Sequence, residues 1–204
     1  MASGPRNNRP AERVSWEAKP VGADMNRAAA LMSCAFLAMS LSSGAVAAEP
    51  GARAARAPEF THAAATDWIN SAPLKLADFS GRVLFIDVWA FECWNCFHSF
   101  PWVKSLEAKF GEHGLAVLGV HSPELPDERV RVNVIAKVKE FGLQHPVMLD
   151  NDYSYWNALD NHYWPAFYVI DKQGRVRGIF VGETHVDDPQ AQKVEALIAK
   201  LIAE

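Results

Sequence analysis

Residues 83–96 read VLFIDVWAFECWNC, and this stretch decides the fold. Its first part is a run of apolar and β-branched residues, which is typical of a buried β-strand. The run stops at Cys93 and Cys96, which are separated by two residues and stand immediately before a helical pattern. We therefore predict a buried strand that leads into a helix, with two cysteines at the junction.

The position of the two cysteines indicates redox chemistry. Two thiols at this spacing can close a small disulfide, and a thiol at a helix N-terminus is held as thiolate by the helix dipole and free backbone amides. Cys93 is therefore the candidate nucleophile and Cys96 the candidate resolving thiol. The pair could also be half of a zinc site that includes His98, although no second cysteine pair supplies the other ligands. Metal capture stays open as the alternative.

The stretch resembles the active site of the thioredoxin fold in more than its cysteines. Asp87 lies six residues before Cys93 and is followed by Val88-Trp89-Ala90, where thioredoxins carry a buried acid and then an aromatic-Trp-Ala run. Pro101 falls five residues after Cys96, where that family kinks the active-site helix.

A later part of the chain extends the resemblance. Trp164-Pro165 precedes an apolar run, where the family places a cis-proline facing the disulfide. Residues 114–124 and 150–166 look like the redoxin domains of the TlpA-like and DipZ-like group of thiol–disulfide interchange proteins. The resemblance covers roughly residues 65–204 and departs at Trp94-Asn95, because many relatives carry proline before the second cysteine.

The resemblance implies an α/β thioredoxin fold. In this fold a central mixed β-sheet is flanked by helices, and a TlpA-like insertion separates a βαβ half from a ββα half. It also implies that Asp87 transfers protons to and from Cys96, which suits an acid inside an apolar strand because burial raises the pKa of a carboxyl group. A cis peptide at Pro165 would leave the amide and carbonyl of Trp164 free to pair with an extended substrate.

Three residues are candidates for substrate docking: Trp94, Trp164 and Asn95. Trp94 lies between the cysteines, and we expect it to be exposed as part of an apolar patch. Glu92 is unusual beside a nucleophilic cysteine, since a negative charge there raises the pKa of the thiol and works against the helix dipole.

Three residues near the motif are predicted to have structural roles. His121 and Glu124 follow the second strand, where this subgroup carries a His-x-Pro-Glu turn, and we expect loop residues with a capping role. We expect His98 on the surface of the active-site helix.

Hydrophobic periodicity predicts the elements after the cysteines. A helix is predicted over residues 95–110 and a buried strand over 115–120, which together with the first strand form a right-handed crossover and a parallel sheet. Asp127 is the predicted N-cap of a second helix that ends before Gly142, and residues 146–149 form a short strand.

The last third of the chain is predicted to hold a hairpin and a helix. One helical turn is expected within residues 150–163. Residues 166–170 and 176–181 are predicted to be the two strands of a β-hairpin, and an amphipathic helix follows Pro189.

Residues 1–48 are predicted to be a targeting segment. Met25-Asn26-Arg27, the apolar run 28–41 and the small residues 45–48 match the three regions of a signal peptide, and Met25 is the favoured true start. We therefore expect export, in a bacterium to the periplasm, with an uncleaved membrane anchor as the alternative.

Composition and charge limit what the rest of the chain can be. Residues 49–66 are rich in Ala, Arg and Pro without a usable period and are predicted to be a flexible leader, followed by one thioredoxin-like domain over 67–204. Residues 49–204 hold 15 Lys and Arg against 21 Asp and Glu, and this net charge of −6 argues against a nucleic-acid partner. If Cys34 leaves with the signal peptide, Cys93 and Cys96 remain, and an isolated pair in an oxidising compartment indicates one cycling disulfide.

These observations predict an exported thiol–disulfide oxidoreductase that acts on protein thiols and disulfides through Cys93 and Cys96. We expect it to need no metal or organic cofactor. The TlpA-like resemblance implies a membrane-bound redox partner and favours a reductase over an oxidase. One alternative is a thioredoxin-fold peroxidase, although Phe91-Glu92-Cys93 does not supply its Thr/Ser-x-x-Cys turn. The other is a non-catalytic copper chaperone that uses both cysteines and a histidine.

Overall fold

The computed structural model describes residues 55–204. Within this range six strands form one sheet: β1 (Trp68–Ile69), β2 (Val83–Trp89), β3 (Leu115–His121), β4 (Val147–Leu149), β5 (Ala166–Ile170) and β6 (Val176–Val181). Four α-helices accompany them: α1 (Trp94–Phe110), α2 (Arg131–Phe141), α3 (Ser154–Ala158) and α4 (Pro189–Ala203). The predicted targeting segment 1–48 and its start at Met25 lie outside the described residues.

The sheet has the strand order β1-β4-β3-β2-β5-β6, with β2 near its centre. β2 runs parallel to β3, which runs parallel to β4, and these strands make the parallel part of the sheet. β5 pairs antiparallel with β2 and β6, and β1 pairs antiparallel with β4. The predicted α/β class, with a mixed sheet built from a βαβ half and a ββα half, is confirmed.

Both faces of β2 are covered, which explains why its apolar run is continuous rather than alternating. On one face, Val83 and Phe85 pack against α1 and α4. On the other face, Leu84, Ile86 and Val88 pack against the chain before β2 and against α3. Each such side chain contributes about 1.5–3 kcal/mol through burial. The strand that leads to the cysteines is therefore held rigidly from two sides.

The insertion between the two halves spans residues 122–165. It contains a 3-10 turn (Pro126–Arg129), α2, β4 and α3. The prediction that Asp127 caps the second helix is wrong, because α2 begins at Arg131 and Asp127 lies inside the preceding turn. Val130 between them is extended, with φ −83° and ψ 106°, so the two segments cannot be one helix.

Residues 55–66 are the described part of the predicted flexible leader, and they pack on the domain. The Ala57 amide donates a hydrogen bond to the Gly174 carbonyl at 2.8 Å, and Ala57 is buried. Phe60 packs edge-on against Trp68, with 5.9 Å between the ring centroids. Single side chains that fill gaps far away in sequence leave no periodic pattern, so composition alone misses such contacts.

The other predicted elements are present with small shifts at their ends. The helix predicted over 95–110 begins at Trp94 and contains Pro101, and the predicted hairpin has its strands at Ala166–Ile170 and Val176–Val181. Within residues 55–204, no helix combines the length and the apolar character needed to cross a bilayer.

Candidate active site

The two cysteines lie where β2 passes into α1. Cys93 is the N-cap of α1, and its Sγ accepts a hydrogen bond from the Cys96 amide at 3.2 Å. The carbonyl of Cys93 accepts from the amides of Cys96 and Phe97, both at 3.1 Å. Cys93 and Cys96 are joined in a disulfide. The first sulfur thus faces the positive end of a 17-residue helix, where a thiolate is stabilised.

The two cysteines differ in access. Cys93 is 7% exposed, whereas Cys96 is 1% exposed beneath it. Trp94 and Asn95 between them are exposed, and Trp94 is 67% exposed, as predicted. This asymmetry suits an outer sulfur that meets a substrate and an inner sulfur that resolves the mixed disulfide.

A shallow groove lies beside Cys93. It is lined by aromatic residues from the active-site turn and helix and by α2: Phe91, Glu92, Cys93, Trp94, Phe97, Lys137, Glu140 and Phe141. The groove therefore joins the nucleophile to a helix of the insertion. The docking roles of Trp94 and Asn95 remain predictions.

Asp87 is buried in β2 on the same side of the sheet as α1. Side chains alternate along a strand, and Phe85, two residues earlier, packs against α1 and α4. Asp87 is 1% exposed and its Oδ2 has no hydrogen-bond partner. Burial raises the pKa of Asp87 to about 8, close to the ordinary pKa of a thiol, about 8.5. Such a carboxyl group can exchange a proton with a thiol at little cost in free energy.

The Trp164–Pro165 peptide bond is cis, as the resemblance implies. Trp164 is half-buried and packs against the cluster that contains Cys93 and Cys96. Its indole N–H donates to the Ser122 carbonyl at 2.9 Å. The indole is therefore fixed by the insertion, and a docking role for Trp164 remains a prediction.

His121 differs from its prediction as a capping loop residue. It is the last residue of β3, it is fully buried, and neither ring nitrogen has a hydrogen-bond partner. The imidazole stacks on Phe91, with 5.8 Å between centroids, and meets Trp89 edge-on at 4.7 Å. Burial lowers the pKa of His121 to about 3, so the ring is neutral at physiological pH.

Glu128 performs the capping role that was predicted for His121 and Glu124. It is fully buried in the 3-10 turn of the insertion, and its carboxylate accepts from the amides of Glu124 and Leu125. It also accepts from the amide of Glu92, at 2.7 Å. The sequence carries only half of the signal for this role. Glu128 stands at the acidic position of a capping box, but Leu125 at its first position has no side-chain acceptor.

His98 lies on the side of α1 that faces the β6–α4 loop. Its Nδ1 is 3.0 Å from Glu183 Oε1, and the same oxygen is 2.6 Å from His185 Nε2. The His98 ring also packs edge-on against Trp94 at 4.4 Å. His98 is therefore a partly exposed helix residue, as predicted, and it links the exposed tryptophan to the far loop.

A second group of titratable side chains lies away from the cysteines, where His62, Asp150 and Asp152 approach one another. Asp150 is buried, and it accepts from His62 Nε2 at 3.0 Å and from the Ser122 hydroxyl at 3.0 Å. It also accepts from the amide of Tyr155. These bonds join the segment before β1 to the insertion and account for the cluster.

Comparison with known proteins places these features in a family. The Redoxin family model matches residues 52–198. Protein DipZ of Mycobacterium bovis is 41% identical over 121 residues, which cover 58% of this chain and 17% of DipZ. The thiol-disulfide oxidoreductase YkuV of Bacillus subtilis is 28% identical over 125 residues, covering 61% of this chain and 82% of YkuV. The chain thus spans about a sixth of the length of DipZ but most of YkuV.

Solved structures agree on the fold. A crystal structure of a thioredoxin-like superfamily protein matches 74% of this chain and 98% of its own with a TM-score of 0.65 and 29% identity. A thiol:disulfide interchange protein DsbE from Chlorobium tepidum matches 73% of this chain and 96% of its own with a TM-score of 0.62; its 23% identity supports the fold alone. The chain therefore has the predicted thioredoxin fold and belongs to the Redoxin family.

Proposed function

We propose that this chain is a thiol–disulfide oxidoreductase that acts on protein thiols and disulfides. The observation that carries the proposal is the position of Cys93 at the N-cap of α1, bonded to a deeper Cys96. The buried Asp87, on the α1 side of the sheet, adds a proton acceptor with a raised pKa. The similarity to DipZ and to the oxidoreductase YkuV supports the same chemistry.

The reaction proceeds by two exchange steps. The Cys93 thiolate attacks one sulfur of a substrate disulfide, and a mixed disulfide forms as the first substrate thiolate leaves. Cys96 then loses its proton to Asp87 and attacks the Cys93 sulfur, which releases the second substrate thiolate. The two leaving thiolates take up protons, the substrate has gained two electrons, and Cys93–Cys96 is oxidised. Disulfide donation runs through the same steps in reverse.

We propose that the reductive direction is the physiological one. Glu92 precedes Cys93 in sequence, and the buried carboxylate of Glu128 is hydrogen bonded to the Glu92 amide. Negative charge near the nucleophile disfavours its thiolate, and a less stable thiolate favours the oxidised pair. A reductase of this kind needs an electron donor, and we propose a membrane-bound redox partner and an exported, periplasmic location.

Mechanism-based trapping tests the proposed reaction. In Cys96→Ser the mixed disulfide cannot be resolved, so we expect protein substrates to accumulate on Cys93, visible as bands that dithiothreitol removes. The matched control is Cys93→Ser, which keeps one thiol in the pair but removes the outer nucleophile and should trap little. Absence of trapping would count against the proposal. Peroxide consumption, or stoichiometric Cu(I) binding without exchange activity, would favour the peroxidase or the copper chaperone instead.

A further inference from the structure

Glu128 is a buried acid in the insertion whose contacts reach the active-site turn. It lies in the 3-10 turn Pro126–Arg129 and none of its surface is exposed. A buried carboxylate is costly unless hydrogen bonds compensate it. The donors of these hydrogen bonds show which parts of the chain Glu128 joins.

The two carboxylate oxygens of Glu128 have different partners. Oε2 accepts from the amides of Leu125, at 2.8 Å, and Glu124. These are local bonds, and they cap the turn in which Glu128 lies. Oε1 accepts from the amide of Glu92 at 2.7 Å, across 36 residues of sequence. Capping of the turn accounts for the contacts of Oε2, but not for the hydrogen bond between Oε1 and the amide of Glu92.

The bond to Glu92 bears directly on the nucleophile. Glu92 immediately precedes Cys93, whose Sγ accepts from the amide of Cys96 at 3.2 Å. The amide of Glu92 donates its hydrogen bond to Glu128, so it is not available to the Cys93 sulfur. The Glu128 carboxylate is bonded to the amide of the residue that precedes Cys93, and a negative charge near a cysteine destabilises its thiolate.

We propose that Glu128 is a positioning residue for Cys93: its carboxylate fixes the turn before the nucleophile and keeps the thiolate less stable than the helix N-terminus alone would make it. The inference rests on the proposed function and deepens it, because it assigns part of the redox tuning to the insertion. In this account the insertion does more than extend the sheet, since it sets the reactivity of a cysteine in the other half of the domain.

Other charged or titratable groups around Cys93 are accounted for separately. Asp87 of β2 lies on the α1 side of the sheet with a pKa raised to about 8, and the substitutions that test the proposal leave it unchanged. Lys137 and Glu140 of α2 line the groove beside it, carry opposite charges and lie 3.1 Å apart. His98 reaches the site only through Trp94 and is paired with Glu183. The neutral His121 stacks on Phe91, and the exposed side chain of Glu92 adds one further negative charge.

The test compares Glu128→Gln with Asp127→Asn in the reduced full-length protein. Both changes remove one negative charge from the same turn, but Asp127 is exposed and its side chain makes no described contact with the site. The readout is the pH dependence of Cys93 alkylation by iodoacetamide, with the modified cysteine identified by mass spectrometry. A structural role alone would not shift this profile.

For Glu128→Gln we expect the apparent pKa of Cys93 to fall by about one unit, because the change removes a negative charge near the thiolate. A fall of one unit raises the thiolate population at low pH about tenfold. Nucleophilicity falls with pKa, with a Brønsted slope of about 0.4–0.5, so alkylation below pH 7 should be about threefold faster. Asp127→Asn should match the unchanged protein. A folded Glu128→Gln variant with the profile of Asp127→Asn would overturn the proposal.

A measurement on the unchanged protein decides the case where Glu128→Gln does not fold. In the reduced protein, the carboxyl carbon resonance of Glu128 should shift at the pH at which Cys93 titrates. A resonance that is flat through the Cys93 titration would overturn the proposal. Failure of the proposed function is distinguishable, because Cys96→Ser would then trap no substrate whatever the outcome at Glu128.

Discussion

Two buried aspartates lie near opposite ends of the sheet, and they differ in their hydrogen-bond partners. Asp87 lies near the end of β2 that leads to the cysteines, and its Oδ2 has no partner. Asp171 follows β5 at the other end, next to the pairing of Ile170 with Leu84. It accepts from the amides of Gln173 and Arg175, and from the guanidinium groups of Arg175 and Arg177.

The pKa values of the two aspartates differ because their hydrogen-bond partners differ. Burial raises the pKa of Asp87 to about 8, and nothing described opposes it. Burial also acts to raise the pKa of Asp171, but hydrogen bonds from Arg175 and Arg177 outweigh it and hold the pKa below its ordinary value. The comparison teaches that the domain can satisfy a buried carboxylate where it serves structure. We infer that Asp87 is left without a full set of partners because it must gain and lose a proton.

The largest expected effect is on catalysis at the cysteine end. Asp87→Asn removes the proton acceptor, and we expect resolution by Cys96 to slow about 100-fold at pH 8, the low end of general-base effects. At this pH about half of the Asp87 carboxyl groups are ionised and can accept a proton. Stopped-flow measurement of mixed-disulfide decay checks this. The matched control is Asp171→Asn, which should leave the rate unchanged. Equal rates in the two variants would break the comparison.

The second effect is on stability at the other end. Asp171→Asn leaves Arg175 and Arg177 without their buried anion, so we expect the free energy of unfolding to fall by about 2–3 kcal/mol. The expected loss of stability is smaller than for a fully buried ion pair because both guanidinium groups are partly exposed. Urea denaturation measures it. A loss below about 0.5 kcal/mol would show that these bonds do not stabilise the β5–β6 turn.

The third effect is the pH dependence of stability. The pKa of Asp87 is raised in the folded protein from 3.8 to about 8, so the native state holds a proton that the unfolded chain releases. The free energy of unfolding therefore falls as pH rises between these values, with a slope of up to about 1.4 kcal/mol per pH unit. Asp87→Asn removes this contribution. Urea titrations of the two oxidised proteins at pH 5 and pH 8 check this. The stability of the variant relative to the unchanged protein should be greater at pH 8 than at pH 5. An equal difference in the free energy of unfolding at both pH values would contradict the raised pKa.

The smallest effect separates docking from chemistry at the cysteine end. Trp94→Ala removes an exposed ring, so stability should change by less than about 0.5 kcal/mol. A pair of aromatic rings across an interface contributes about 0.5–1.5 kcal/mol beyond the area that it buries. For a protein disulfide that places such a ring on Trp94, KM should therefore rise at least about twofold while kcat is kept. Ile179→Ala is the control, since Ile179 is 57% exposed in β6 and lines a different groove. Equal KM values in the two variants would remove Trp94 from the docking surface.

The sequence predicted the parts of this site that depend on neighbouring residues. The strand that ends at Cys93, the helix that begins beside it, and the burial of Asp87 follow from apolar runs and spacing over about twenty residues. The cis bond before Pro165 followed from the family resemblance, because a single sequence carries no local signal for it.

The features that the sequence missed depend on contacts across the fold. Glu128 is the third residue of the polar turn Pro126–Arg129, and only the folded chain brings it to the amide of Glu92. His121 stands beside a Ser-Pro pair that is typical of a loop, yet β3 continues through it. Phe60 lies in a segment without periodicity and is held by aromatic rings from three other places in the chain.

The most direct test of the proposed function is the equilibrium reduction potential of Cys93–Cys96. The protein would be titrated against glutathione and dithiothreitol buffers and followed by tryptophan fluorescence, since Trp94 lies between the two cysteines in sequence. We expect a value near that of thioredoxin, about −270 mV, because negative charge near Cys93 disfavours its thiolate. A value near that of a strong disulfide donor, about −120 mV, would contradict the reductive direction.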